Sequence, residues 1–155
     1  MRFKVTVNTR DLSRSFMAGV FGDVARRQIL GAMGTELIKI AEENIGKTGI
    51  DRPAPWPPLS KPYAKRVKRD YATLYLTGAL YRSSTLRVTP DVATVTYEDT
   101  KASLHQDGTE KMPRRPFLPF NSAGQLTPYA RRRIESAANL ALQSLIRRGF
   151  QSAIY

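Results

Sequence analysis

The chain has 155 residues, enough for one domain with a real core, and its 41% hydrophobic content with seven Tyr and six Phe excludes an intrinsically disordered chain. It contains no cysteine, which excludes disulfides and thiolate metal sites and suits a reducing cytosol. Its 25 Lys and Arg outnumber 13 Asp and Glu for a net charge of +12, a balance that favours nucleic acid, an acidic partner or an anionic surface.

Residues 2–7 alternate, with Phe3, Val5 and Val7 against Arg2, Lys4 and Thr6, the pattern of a strand with one buried face. The alternation leaves no secretory h-region, and no apolar run approaches the ~20 residues of a membrane span, so a soluble chain without membrane contact is expected. After Gly19 and Gly22, Asp23 is placed to cap a helix. Leu30, Met33, Leu37, Ile40, Ala41 and Ile45 recur at three- and four-residue steps along it, and Gly46 stops it. Such a helix is about 33 Å long.

Residues 46–62 hold five prolines and two glycines around the single Trp56, which makes a long loop. Ser60 caps a short basic helix over 61–69, with Pro62 tolerated in its first turn. Thr77-Gly78-Ala79-Leu80, inside an apolar run with Leu74, Leu76 and Tyr81, reads as a brief helical turn leading into a strand over 84–89. Pro90-Asp91 turns the chain into an alternating 92–97, and the two strands form a β-hairpin. A second long loop spans 98–126. Thr127 then caps, and Pro128 opens, a second long helix with an apolar stripe at Ile134, Ala137, Ala138, Ala141, Leu142, Leu145 and Ile146, ended by Gly149. The expected fold class is α+β: a small antiparallel sheet packed by two long helices, with long proline-rich loops, in a single domain over 1–155.

The segment most specific in residue type runs from Leu104 to Phe120. Pro113, Pro116 and Pro119 rule out a central strand or a helix interior, yet Met112, Phe117, Leu118 and Phe120 keep the segment apolar. A stiff, extended, aromatic segment docks on something, either its own core or a neighbouring subunit. Trp56, between Pro55 and Pro57, poses the same choice between core plug and interface anchor, and its proline-rich flanks tilt it towards the interface. Loops as long as 46–62 and 98–126 are uncommon in so small a domain unless they bind something.

The cations cluster at Lys61, Lys65, Arg66, Lys68 and Arg69, at Lys111, Arg114 and Arg115, at Arg131, Arg132 and Arg133, and at Arg147 and Arg148. Solvated faces and helix-dipole partners explain any one of these; four together favour an electrostatic role. Residues 61–69, with Tyr63 and Tyr71, suit DNA phosphates and stacked bases or an acidic partner, without any recognition-helix signature.

Catalytic patterns are missing. His105 is the only histidine and reads as a hydrogen-bonding residue at a strand end or loop base, since a zinc site needs three or four ligands. There is no Gly-x-Ser-x-Gly elbow and no glycine-rich phosphate cradle. Asp91 with Glu98-Asp99 could be read as a two-metal nuclease, but a turn and a hairpin exit account for them more simply. No enzyme activity, cofactor or metal is expected.

Trp56-Pro57-Pro58-Leu59-Ser60, Leu74-Tyr75-Leu76-Thr77-Gly78-Ala79-Leu80, His105-Gln106-Asp107-Gly108 and Pro113-Arg114-Arg115-Pro116-Phe117-Leu118 follow in this order. Together they resemble the tailed-phage virion morphogenesis, or tail-completion, family, with its Trp-x-Pro-Leu, Leu-x-x-Thr-Gly-x-Leu, His-Gln-x-Gly and Arg-Pro-Phe-Leu elements. Lys101-Ala102 stands where such proteins often carry Tyr-Ala. The resemblance implies a structural protein of the head–tail junction or upper tail, located in the virion and assembled in the host cytoplasm. It implies a ring, often hexameric, that bridges head connector or neck and tail tube, with possible contact to packaged DNA.

A ring needs heterologous, closing contacts. Trp56, Arg114, Arg115, Phe117, Leu118 and Phe120 are the expected interface residues, on two separate arms. Lys61, Lys65, Arg66, Lys68 and Arg69 are the expected DNA or acidic-partner contacts. The rival reading is a small non-specific DNA-binding protein.

Overall fold

The computed structural model describes residues 3–8, 22–46, 51–53, 55–67 and 73–152. Its elements in chain order are β1 (Phe3–Asn8), α1 (Asp23–Ile45), α2 (Lys61–Val67), β2 (Ser84–Val88), β3 (Val92–Tyr97), α3 (Lys101–Asp107) and α4 (Pro128–Ser152), with a 3-10 turn at Tyr81–Ser83 before β2. The α+β class is as expected. The antiparallel sheet has the order β1-β3-β2, so the middle strand is the second arm of the hairpin. β1 closes the sheet from far away in sequence, with Phe3 opposite Tyr97 and Asn8 opposite Val92.

The β2–β3 connection is Thr89-Pro90-Asp91, with the turn at Pro90-Asp91. Thr89 N–H donates to the Val92 carbonyl at 2.8 Å, and Val92 N–H donates back to Thr89 Oγ1 at 3.1 Å. On β3 the side chains of Ala93, Val95 and Tyr97 are buried, while Val92, Thr94 and Thr96 are half-buried. That alternation turns one face of the sheet onto α1.

α1 is the element on which the rest is built. Its buried residues, Ile29, Leu30, Met33, Leu37, Ile40, Ala41 and Ile45 among them, follow the stripe read from the sequence. The cap differs: Gly22 occupies it without a side-chain bond, and Asp23 is the first helical residue. Asp23 there still complements the helix dipole and pairs with Arg26 one turn on at 2.6 Å.

α4 runs antiparallel along α1. Arg133, near its start, is held by Glu36 at 2.6 Å and also by Glu43, and Arg148, near its end, donates to Gln28 at 2.9 Å. The triplet Arg131–Arg133 is therefore split: Arg131 and Arg132 are exposed, and Arg133 is a structural cation. Its Glu43 hydrogen bond first of all, with Glu36 and Tyr129, holds the guanidinium in the charged form despite partial burial. Thr127 caps α4 as expected, accepting from Ala130 N–H at 3.2 Å and donating to the Asp51 carboxylate.

Three expectations need correction. The long loop over 98–126 contains α3, which starts where Asp99 Oδ1 accepts from Lys101 N–H at 2.8 Å and Asp99 O from Ala102 N–H at 3.0 Å. At two turns, α3 is too short to show a period, and only Ala102 and Gln106 are buried on it. His105 thus lies on a helix rather than at a strand end. Gly149 does not stop α4, which continues to Ser152; one helical glycine costs only about 1 kcal/mol.

Candidate functional site

The arm from Pro113 to Phe120 is a non-repetitive segment laid on the core. Three prolines deny it a helix or an internal strand, so its polar backbone atoms need side-chain partners. Gln106, 5% exposed on α3, supplies two of them: its Oε1 accepts from Phe117 N–H and Leu118 N–H, both at 3.2 Å. Arg115 N–H donates to the His105 carbonyl at 2.8 Å, and Arg114 Nε to the Gln106 carbonyl at 2.9 Å. From the other side, Asn44 on α1, fully buried, donates to the Phe117 carbonyl at 2.9 Å and exchanges two bonds with Asp51.

The Trp56 loop closes over the same arm. Trp56 Nε1 donates to the Pro116 carbonyl at 2.9 Å, and Arg115 reaches back to the carbonyls of Pro57 and Pro58 at 3.1 and 3.0 Å. The Arg52 guanidinium lies over the Trp56 ring, 3.8 Å from its centroid, and ties down the carbonyls of Asn44 and Gly46 that end α1. The two loops assigned to separate arms are thus one unit.

This placement corrects the interface assignment for two residues. Phe117 and Leu118 are 0% exposed, and the Phe117 ring packs edge-on against Tyr97 with centroids 5.0 Å apart. They serve the core, because their backbone is satisfied from inside. Arg115, 6% exposed, is a strut between the loops. Trp56 and Phe120 are half-buried against the core, and Arg114 is exposed. Of the basic segment, Lys61 and Lys65 are exposed on α2; Lys68 and Arg69 lie outside the described residues, as does the side chain of Arg66.

Between α2, the turn over 74–80, α3 and the start of the arm lies a groove of about 640 Å³, within the range of ligand clefts. Leu59, Tyr63, Leu74, Leu80 and Met112 supply apolar lining, and Leu76 and Leu104 stand at it 47% and 43% exposed. All four segments that carry the family resemblance contribute to this wall. Gly108 explains one of them: it sits at φ +75°, and a Cβ there would come within 2.9 Å of the Arg114 backbone nitrogen. Only glycine lets the chain leave α3 and pass the arm so closely.

Groove chemistry is sparse. His105 Nδ1 is buried without a hydrogen-bond partner, and burial first, then the Arg115 charge, pushes the imidazole below its ordinary pKa. The Arg115 guanidinium that lowers it is itself bound to the carbonyls of Pro57 and Pro58. Asp91, offered above to a nuclease, pairs with Arg26, and Asp99 Oδ1 accepts from the Lys101 amide at the start of α3. Among the described residues no group of three or more His, Cys, Asp or Glu is placed to hold a metal, and no helix is long and apolar enough to cross a membrane.

Sequence reasoning missed Asn44, Asp51, Arg52 and Gln106. The available signal was Asn44 itself, a polar residue in the apolar stripe between Ala41 and Ile45, since a buried amide on such a stripe requires partners.

Compared with known proteins, residues 9–143 match the phage virion morphogenesis family. No curated protein and no solved structure matches the chain.

Proposed function

Because the chain belongs to the phage virion morphogenesis family, we propose that it is a non-enzymatic subunit of the head–tail junction. Copies assemble into a ring, hexameric in the simplest case, which completes the tail and bridges it to the head connector. The family match across 9–143 carries this reading. The geometry supports it physically: the two proline-stiffened loops are locked to each other before any partner arrives, and a rigid surface loses less entropy on docking. Arg114, Trp56 and Phe120 remain the residues of the joined loops through which a neighbouring copy is contacted.

Light scattering over a range of protein and salt concentrations tests the ring. A discrete ring-sized mass, or a monomer converting to one as concentration rises, is expected. A monomer at every concentration would overturn self-assembly of the free subunit.

The net charge of +12 supports a second reading, non-specific DNA contact through Lys61, Lys65, Arg66, Lys68 and Arg69. Lys61 and Lys65 are exposed on α2, with Arg131, Arg132, Arg147 and Arg148 exposed on α4. Each neutralised phosphate contributes about −0.9 to the slope of log affinity against log salt. Micromolar binding with a steep slope would favour this role, and weak, salt-insensitive binding would remove it.

A further inference from the structure

We propose that the groove beside Leu104 seats a peptide segment of a different virion protein, one that carries leucine-like or aromatic side chains flanked by Asp or Glu. The proposal deepens the assembly reading, and rests on it only for the partner's being a virion protein.

The apolar half of the argument is exposure. Five large hydrophobic residues are exposed among the described residues, and two of them, Leu76 and Leu104, face this one groove. Of its remaining apolar lining, Leu80 belongs to the core, and Leu59 and Met112 adjoin the braced loops, which reduces the ordering needed on binding.

The acidic half is charge complementarity. Lys101 and Lys111 stand exposed as a basic lip to the groove; of the other charged groups lining it, Arg115 is engaged by the Pro57 and Pro58 carbonyls and the single carboxylate, Asp99, at the start of α3. Lys61 and Lys65 are exposed on α2 but stand outside the lining, two residues either side of Tyr63. Glu98 and Glu110 on the flanking turns and Asp107 at the end of α3 are likewise outside the lining. At the tight turn that pairs Thr109 with Met112, Lys111 is exposed while Met112 is half-buried against the groove.

The alternatives fit less well. Of the exposed apolar residues a second copy would offer, Leu140 and Ile146 share a helix with the exposed Arg131, Arg132, Arg147 and Arg148 and would bring cation against cation, and Val24 stands beside Asp23, whose carboxylate is already paired with Arg26. Duplex DNA would match the lip but leave the leucine-lined floor against phosphates and sugar.

The test is selection from a displayed library of random twelve-residue peptides on the purified protein, with Leu104→Asp as the counter-target. Leu104 is exposed enough for the variant to fold, which a thermal melt checks; Leu76→Asp replaces it if the melt is lost. Enriched peptides are expected to combine apolar residues with Asp or Glu. A fluorescein-labelled enriched peptide should bind Leu104→Asp at least tenfold more weakly, and Lys111→Glu several-fold more weakly.

Peptides without acidic residues, no enrichment over the counter-target, or unchanged binding to Leu104→Asp would overturn the proposal. So would a loss of oligomer mass in Leu104→Asp, which would make the groove a seam between copies, or a loss of duplex DNA affinity in that variant. Peptide binding is read on the unassembled protein, so the groove and the ring can fail separately.

Discussion

The indole N–H of Trp56 donates to the carbonyl of Pro116 across 2.9 Å, joining two loops that lie 60 residues apart in the chain. With Arg115 reaching the opposite way to Pro57 and Pro58, the bond makes the loops a single braced surface. Within that surface the Phe117 ring is turned into the core, while Trp56 and Phe120 stay half-buried at its edge.

Gln106 is the residue on which the arm depends most. Its side chain satisfies two buried amides, and an unsatisfied buried donor costs about 1–3 kcal/mol. Gln106→Ala is expected to lose about 2–4 kcal/mol in urea unfolding. A loss below about 1 kcal/mol would mean that other groups satisfy Phe117 and Leu118.

Phe117→Ala should destabilise the monomer by about 3–5 kcal/mol, the usual cost of emptying a buried aromatic site. The measurement is a thermal or urea melt of the unassembled protein. A variant that melts like the parent yet fails to assemble would return Phe117 to an interface.

Two glycines of similar φ separate strain from crowding. Gly108 and Gly124 lie at +75° and +73°, but only Gly108 has backbone atoms where a Cβ would stand. Gly124→Ala is expected to cost about 1–2 kcal/mol, the left-handed penalty alone. Gly108→Ala should exceed that, and equal costs in parallel melts would contradict the close passage of α3 and the arm.

His105 gives the protein a defined acid response. Burial, then Arg115 and Lys101, push its pKa down, with Asp99 opposing. The unfolded imidazole titrates near ~6.5, so below that pH the unfolded state binds more protons than the folded one. This contribution is fully present above about 6.5 and is lost as pH falls below it. Stability measured at pH 7.5 and 5.5 should drop in the parent, and drop less in His105→Gln. Equal slopes in the two proteins would remove His105 from the response.

The fold was legible where hydrophobic period and punctuation act locally. The stripe of α1, the Pro90-Asp91 turn and the Thr127-Pro128 start of α4 all follow from short-range rules. α3 was not, because two turns give no measurable period and its start signal overlaps the end of β3. Of the candidate site, the sequence marked two proline- and aromatic-rich segments but not how they pack on each other. Prolines and aromatics marked the two loops correctly, yet Phe117 is core and Trp56 braces the arm, and nothing local distinguishes an aromatic that faces inward. The inward choice was made by Asn44 and Gln106, whose partners are 73 and 11 residues away.

The most direct test of the assembly role is electron microscopy of particles made by a phage that lacks this chain. DNA-filled heads and separate, unjoined tails, restored to whole virions by supplying the chain in trans, are the predicted outcome. Complete virions without it, or a block before heads are filled, would contradict a role at the head–tail junction.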